Sequence, residues 1–551
     1  MKLKTLSSEK AVFRKNITRF VPVWAIYSVF LLISLMTIRG NNNMNGLHHA
    51  LADFSSFMCI VNGVYALVCA LTLFGDLFNS RMCNAIHALP LRRESWFCTH
   101  ALTGLCFSVV PNLVFALLMM PCKDAMNWLW LLQSTLQFVL CFGTALLCVQ
   151  LTGSRFAATV VYGLIHFGAL LIFWLIESLY VPMLPGVEVD IDLVALLCPL
   201  VNYMENIPVM SSFDMELDAY VIIYNSTGWI NLAMMAAVGV AFGVLALLLY
   251  RRRQLESAGE FMAVKVLNPV FLVIYSLVVA AVFHGMCELF LDGESRIFLL
   301  IGLAVGYFTG QMLLKRTTRV FGMKQLRIFA VLVICFALSF VVTFLDPLNI
   351  TGWVPEAEKV SAVMINNREL TDPALVEQVI LFHEEVSKDY DGYENDYYLQ
   401  TNKQITLAYR MKSGRIVRRA YWIDIDSAAG QLLRPVVSSP EYVLAGLYPD
   451  FDYTQKDFSI QVLHDYHETI PRQYYLELME CLILDCQEGN LPQDWWNWND
   501  VKDSAELRLL VHIGSSRYDF TYLEITDRAT HTVQWLKDYG YWHSIYGTFI
   551  R

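Results

Sequence analysis

Charge is scarce in this chain. Only 16% of its 551 residues are Asp, Glu, Lys or Arg, where a soluble globular protein carries about a quarter. No Gly-x-x-x-x-Gly-Lys-Ser/Thr sequence occurs, and the single Gly-Arg neighbour, Gly414-Arg415, falls in a predicted hairpin turn. The chain therefore has no P-loop with which to cradle nucleotide phosphates. No two of the 13 cysteines stand in a CxxC pair, which removes the commonest structural zinc pattern. Cys481 and Cys486 are the only two after residue 345, and their spacing on a predicted helix does not share a face, so no disulfide is expected there. Catalytic signatures are missing as well. His383-Glu384-Glu385 is not the zincin pattern, Ser439 and Ser515 have no nucleophile elbow around them, and His464 and His467 on a strand would point to opposite faces. Neither an enzyme nor a metal protein is expected, and this chain should hold no cofactor of its own.

What the chain has instead is apolar sequence, in blocks. Hydrophobic residues make up 56% of it and the mean hydropathy is +0.45. A membrane-crossing helix needs about twenty mostly apolar residues. Runs of that kind lie at 20–38, 54–74, 101–120, 128–151, 157–181, 229–250, 269–290, 297–314 and 328–344. The first has a basic leader and no small-residue cleavage site after it, so it reads as an uncleaved first helix. The fold class expected is a polytopic α-helical membrane protein of about nine spans with a C-terminal α+β domain.

Lys and Arg set the orientation. With the N-terminus in the cytoplasm, segments 1–19, 75–100, 152–156, 251–266 and 315–327 hold 19 of them, while the opposite loops hold only Arg39, Lys123 and Arg296. Nine crossings then leave residues 346–551 outside the cell, which depends on the shortest span, 328–344. That C-terminal part carries 18 Lys/Arg against 32 Asp/Glu, an acidic balance that argues against nucleic acid or an anionic surface as partner. The outer loop 182–228 has no Lys or Arg, and its apolar piece 193–200 is too short to span, so it reads as re-entrant or interfacial.

Within 75–100, Phe78, Met82 and Ile86 recur every four residues, the mark of a short amphipathic helix stopped near Leu89-Pro90. Ionisable groups inside spans are costly and point to function. His166 and Glu177 lie three turns apart in the fifth span, and His284 and Glu288 one turn apart in the seventh. His166 and Glu177 are the candidates for a translocation path. Asn62, Asn112, Gln133, Gln137 and Gln150 add polar character to spans two to four, where helix–helix hydrogen bonding is the plainer role. In the C-terminal part, strands and helices are predicted at 359–365, 373–388, 404–411, 415–425, 458–463, 472–488, 507–513, 518–525 and 530–538. The order β-α-β-β occurs twice, which suggests two copies of one module. Trp495, Trp496 and Trp498, with Trp535 and Trp542, read as core packing or a surface for membrane, glycan or peptide.

The stretch Ile86-His-Ala-Leu-Pro-Leu-Arg-Arg-Glu-Ser-Trp-Phe97, followed by an apolar span, resembles permease subunits of type-2 ATP-binding-cassette exporters, as found in low-GC Gram-positive bacteria. Val305-Gly-Tyr-Phe-Thr-Gly-Gln-Met-Leu-Leu-Lys315 with Arg319-Val-Phe321 is similar to the same group. The resemblance covers about residues 1–345. It implies a six-helix core at 20–250, a cytoplasmic amphipathic segment at 1–19, a coupling segment at 75–100 and a re-entrant loop at 182–228. Three added helices at 251–345 and an acidic outer domain at 346–551 depart from that minimal fold. ATP and Mg would be bound by a separate cytoplasmic ATPase, docked on Phe78, Met82, Ile86, Leu89, Pro90, Arg92, Arg93 and Glu94. The other partners implied are a second permease, in a homodimer or heterodimer, and the lipid bilayer. Amphipathic cargo such as peptide antibiotics, lipids or drugs follows by analogy. The alternative is a non-transporting sensor or resistance module whose outer domain binds an extracellular ligand.

Overall fold

The computed structural model describes residues 10–40, 44–88, 92–119, 126–189, 194, 197–214, 219–290, 296–389, 402–424, 427–446, 458–463, 467–491, 507–513 and 520–542. Among these, nine helices are long and apolar enough to cross a membrane, and the protein is accordingly a polytopic helical membrane protein. The chain divides into two compact units. One comprises Met1–Ile176, Ile191–Phe213 and Tyr220–Ala337; the other comprises Glu177–Asp190, Asp214–Ala219 and Leu338–Arg551.

The helices in chain order are α1 (Lys10–Arg19), α2 (Val21–Arg39), α3 (Met44–Leu73), α4 (Ser80–His87), α5 (Arg93–Leu118), α6 (Met126–Leu151) and α7 (Arg155–Tyr180). After them come α8 (Pro199–Glu205), a two-stranded sheet of β1 (Val209–Asp214) and β2 (Ala219–Tyr224), α9 (Ser226–Arg252), α10 (Asn268–Phe290), α11 (Arg296–Lys315) and α12 (Met323–Leu345). Pro22 opens α2, a first-turn position where its missing N–H costs nothing. Helix α6 is the centre of the first unit, buried along most of its length among α3, α5 and α9. It meets α9 backbone to backbone: a Cβ on Gly143 would lie 1.9 Å from the Gly239 carbonyl oxygen. Without a hydrophobic drive between helices in lipid, such close contact of small residues is what binds them. The pair α10–α11 uses the same device, with Gly302, Gly306 and Gly310 one turn apart and facing Ala280, Ser276 and Leu272.

Three features differ from the sequence reading. Helix α5 begins at Arg93, not 101, because Ser95, Trp96, Phe97, Thr99 and His100 are buried and continue the helix inward. Loop 182–228, whose apolar piece 193–200 is expected to be re-entrant or interfacial, contains α8, buried at Pro199, Leu200, Asn202 and Tyr203, and a β1–β2 pair that the sequence does not signal. The last span is longer than its apolar core. At 23 residues, α12 is about 34 Å long, enough to cross, and none of its residues is buried.

In the second unit, β3 (Val360–Ile365), β4 (Arg368–Leu370), α13 (Pro373–Asp389), β5 (Asn402–Met411), β6 (Ile416–Asp424) and α14 (Ala428–Val437) precede α15 (Pro440–Gly446). Then β7 (Phe458–Leu463), β8 (His467–Thr469), α16 (Tyr475–Gln487), β9 (Leu507–Ile513), β10 (Phe520–Ile525) and α17 (Thr530–Asp538) repeat the series. Both four-stranded sheets are antiparallel. Their strand orders, β4-β3-β5-β6 and β8-β7-β9-β10, are the same. The predicted strands agree with these, but each half adds a short second strand. The first turns on Asn366 and Asn367, both at positive φ (47° and 66°), as a two-residue hairpin requires. Each sheet has its own apolar core. Helix α15 joins them: Tyr442 packs into the first core and its neighbour Val443 into the second.

Candidate coupling face

At one end of the first unit, the turn after α3 leads through a 3-10 segment, Gly75–Phe78, into α4. Asn79 caps α4 by accepting from the Arg81 N–H at 3.0 Å. The inward side of α4 differs from the predicted stripe. Leu77 and Cys83 are buried, Phe78 and Ile86 are half-buried against the core, and Met82 is 41% exposed. His87 is the residue that secures α4. The Cys83 carbonyl can only accept, so His87 Nδ1 donates to it at 2.8 Å. In the neutral ring Nε2 then accepts from the Tyr250 hydroxyl at 3.1 Å. Tyr250, near the end of α9, stacks on Trp96 at 5.5 Å, and Trp96 meets Phe74 edge-on at 5.4 Å. Sequence reading missed both His87 and Tyr250. The His87 signal was its place one turn after Cys83; Tyr250 had none.

Arginines lock this end of the helices together. Arg93 donates to the carbonyls of Arg251 and Arg253, both at 3.3 Å, and so covers the C-terminus of α9. Arg253 does the same for α6, donating to Val149 O at 2.7 Å and Thr152 O at 2.8 Å. A cation there also matches the negative end of the helix dipole. Glu94 pairs with Arg251 at 3.2 Å, and Arg19 of α1 pairs with Asp76 at 3.4 Å. The α6–α7 turn is stitched to residues 259–263 by backbone bonds, Gly259 N to Gly153 O at 2.7 Å and Ala263 N to Leu151 O at 2.8 Å. Of the predicted docking residues, then, Arg93 and Glu94 are spent on internal ties. Arg92 and Met82 face outward, and Leu89 and Pro90 lie outside the described residues.

The two residues proposed for a translocation path share α7. His166 is fully buried and neither ring nitrogen has a hydrogen-bond partner; its ring lies edge-on to Tyr162 at 4.4 Å. Glu177 is exposed, about 16 Å further along the helix. His284 is buried beside Trp174, and the side chain of Glu288 lies outside the described residues. Three amides of spans two to four, Asn62, Asn112 and Gln137, share one buried network. Tyr27 donates to Asn112 Oδ1 at 2.8 Å; Asn112 donates to Ser134 Oγ at 3.1 Å; Asn62 donates to the same hydroxyl at 3.1 Å and to Gln137 Oε1 at 2.8 Å. Gln133 is tied to the Tyr203 hydroxyl of α8, and Gln150 to Arg253. These side chains bind helix to helix.

In the second unit His383 is buried between the hydroxyls of Tyr421 (2.7 Å) and Tyr409 (3.1 Å). Burial pushes its imidazole pKa down to about 3, and the Arg419 charge adds to the effect. Asp485, Glu488 and His531 come close enough to hold a metal. Asp485, however, already accepts from the N–H groups of His531 and Thr532 and from the Thr532 hydroxyl, which makes it the cap of α17. His464, Ser515, Trp495, Trp496 and Trp498 lie outside the described residues. In comparison with known proteins, no family model, curated protein or solved structure matches this chain. The exporter resemblance stands on the quoted residues alone.

Proposed function

We propose that this protein is the membrane-spanning permease subunit of an ATP-binding-cassette exporter, driven by a separate cytoplasmic ATPase that docks on α4. In this reading residues 20–250 form the six-helix core, α10 to α12 are additions, and the two sheets of the C-terminal part are copies of one module outside the plasma membrane. The cargo is amphipathic, and the working unit is a dimer with itself or a second permease.

One observation carries the reading. A docking protrusion must be rigid toward the helices it moves, and α4 is bonded to α9 through His87 and Tyr250 while Arg93 and Glu94 hold the same end of α9. A push on α4 would therefore reach α9, and through Gly239 and Gly143 reach α6. The exposed side of α4, with Arg81, Met82 and Ala85, is left for the partner. The test is co-purification of a P-loop ATPase from the native membrane, repeated with Met82→Asp. A charge in the middle of the docking surface should abolish retention of the ATPase without lowering the Tm of the permease. Undiminished retention in Met82→Asp would remove α4 as the joint. An ATPase that binds, but in vesicles drives no flux of cationic peptides or lipids, would favour the sensor reading instead.

A further inference from the structure

An apolar groove of about 340 Å³ lies between α2 and α5 in the first unit. Its floor is made of buried side chains, Leu31 from α2 with Phe107 and Phe115 from α5, and its lips of exposed ones, Leu32, Val110, Val114 and Leu118. Pro111 is part of the wall. A proline inside a helix leaves the carbonyl four residues back without its donor, and the Phe107 carbonyl accepts from the Tyr65 hydroxyl at 3.0 Å instead. The other polar groups of the wall are spent in the same way. Ser28 donates its hydroxyl to Trp24 O at 2.7 Å, and the Trp24 ring N–H goes to Ile17 O at 3.2 Å. Apart from the Cys106 thiol, a weak donor, the groove offers hydrocarbon.

The groove has ends, which an ordinary lipid-facing surface lacks. At one, Arg39 reaches from α2 to donate to Leu118 O. At the other, α1 contributes Ile17 and is tied to α5 by Asn16, which donates to the Thr103 hydroxyl at 3.4 Å. The wall that α5 supplies runs from Cys106 to Leu118, about 18 Å. One leaflet is half of a ~30 Å hydrocarbon core, so the length suits a single acyl chain. A wall with no strong donor to spare suits such a chain better than a peptide, whose amides would go unpaired.

Charge marks the end for a headgroup. Helix α1 carries Lys10, Arg14, Lys15 and Arg19 and no acid. Arg19 is paired with Asp76. Arg14 stands one turn before Ile17, on the same side of α1, and is exposed with no ion pair among the described residues.

We propose that this groove binds one acyl chain of an anionic phospholipid from the leaflet on the α1 side, with the headgroup phosphate on Arg14. Guanidinium is suited to phosphate by geometry and charge. The lipid is then a fixed part of the packing of α2 on α5, whether or not the protein is an exporter.

The test uses the full-length protein in neutral detergent, mixed with dioleoyl phosphatidylglycerol or dioleoyl phosphatidylcholine and weighed by native mass spectrometry. One phosphatidylglycerol should be retained, about fivefold better than phosphatidylcholine, the effect of one cation beside the phosphate. Arg14→Glu should erase that preference. Val110→Phe with Val114→Phe fills the groove and should release the lipid, whereas Val244→Phe, exposed on α9 and not part of the groove, should retain it. Phosphatidylglycerol brominated on its acyl chains, at one per protein, should quench tryptophan fluorescence less in Trp24→Phe than in the unaltered protein. Retention unchanged in the folded double variant overturns the inference. So do equal retention of the two lipids, a preference that survives Arg14→Glu, and quenching that Trp24→Phe leaves untouched. Should the double variant fail to fold, the quenching decides. A dimer that Val110→Phe dissociates, with no lipid retained, would give the groove to a second copy of the chain and overturns it too.

Discussion

Asn62 shows how a polar residue is accommodated in a membrane helix. Its amide nitrogen serves the hydroxyl and carbonyl of Ser134 and the side chain of Gln137 at once, so Asn62→Ala takes the donor from the buried Gln137 Oε1, while the Ser134 hydroxyl keeps Asn112. Such a change should cost about 1–2 kcal/mol, in line with the upper part of the range for bonds between membrane helices, and thermal unfolding in detergent should register it. An unchanged Tm would mean that water replaces the amide. His383 makes a prediction about pH. Its folded pKa is depressed to about 3, whereas an unfolded histidine titrates near ~6.5. Between those values the unfolded chain takes up a proton that the folded chain refuses. Stability is therefore full above pH ~6.5 and falls as the pH drops toward the folded value, by about 2 kcal/mol at pH ~5. Protection factors in α13, corrected for the intrinsic exchange rate at each pH, should fall accordingly from pH 7 to 5. His383→Gln should flatten that slope; an identical slope in the variant would assign it to other groups.

Elements of this protein are held at a few close approaches. Gly143→Val would force α6 and α9 apart at the point where they touch, and loss of folded protein on size-exclusion chromatography is the expected outcome; Gly163→Ala, where no atom lies within 4 Å, should be neutral. On the coupling face, Tyr250→Phe keeps the ring stacking but removes the hydroxyl from His87. In the exporter reading it should leave ATPase binding intact and lower transport per ATP hydrolysed, measured in vesicles; equal lowering of binding would place Tyr250 in docking itself. The spans were legible because twenty apolar residues in a row have few other uses. The true start of α5 was not, because Ser95, Thr99, His100 and Thr103 read as polar and yet are buried. The sheets were legible from alternation and from Gly414, at φ 84°. Strand β4 has only three residues, too few for a period to appear, and Pro435 inside α14 reads as a breaker. The face of α4 was misjudged because a four-residue repeat cannot tell the side facing the core from the side facing a partner. Arg93 and Glu94 could not be assigned without knowing that α9 ends beside them.

The whole chain is polarised by charge: 19 Lys/Arg fall in the loops expected inside and three in those expected outside. Protease added to intact cells should then cut within 346–551 and spare the N-terminal segment; protection of residues 346–551 would reverse the side of that part. Some of the residues behind this asymmetry have a second occupation, since Arg93 and Arg253 also close the ends of α9 and α6. Arg253→Gln should therefore lower stability even where orientation is unchanged, which detergent unfolding and cysteine labelling would separate. The strand edge of β6 is met by Gly186 and Val187, with Ala420 N donating to Gly186 O at 3.1 Å and Val187 bridging Arg419. Gly186 must stay glycine, because it sits at φ 75° and a Cβ would fall 2.2 Å from the Tyr421 ring. The C-terminal part is thus no interchangeable cassette. Cut at residue 346 and transplanted to another carrier, it would arrive with one sheet margin bare and prone to self-association; its natural boundary includes a ribbon drawn from far earlier in the polypeptide, and the two pieces must be inherited together.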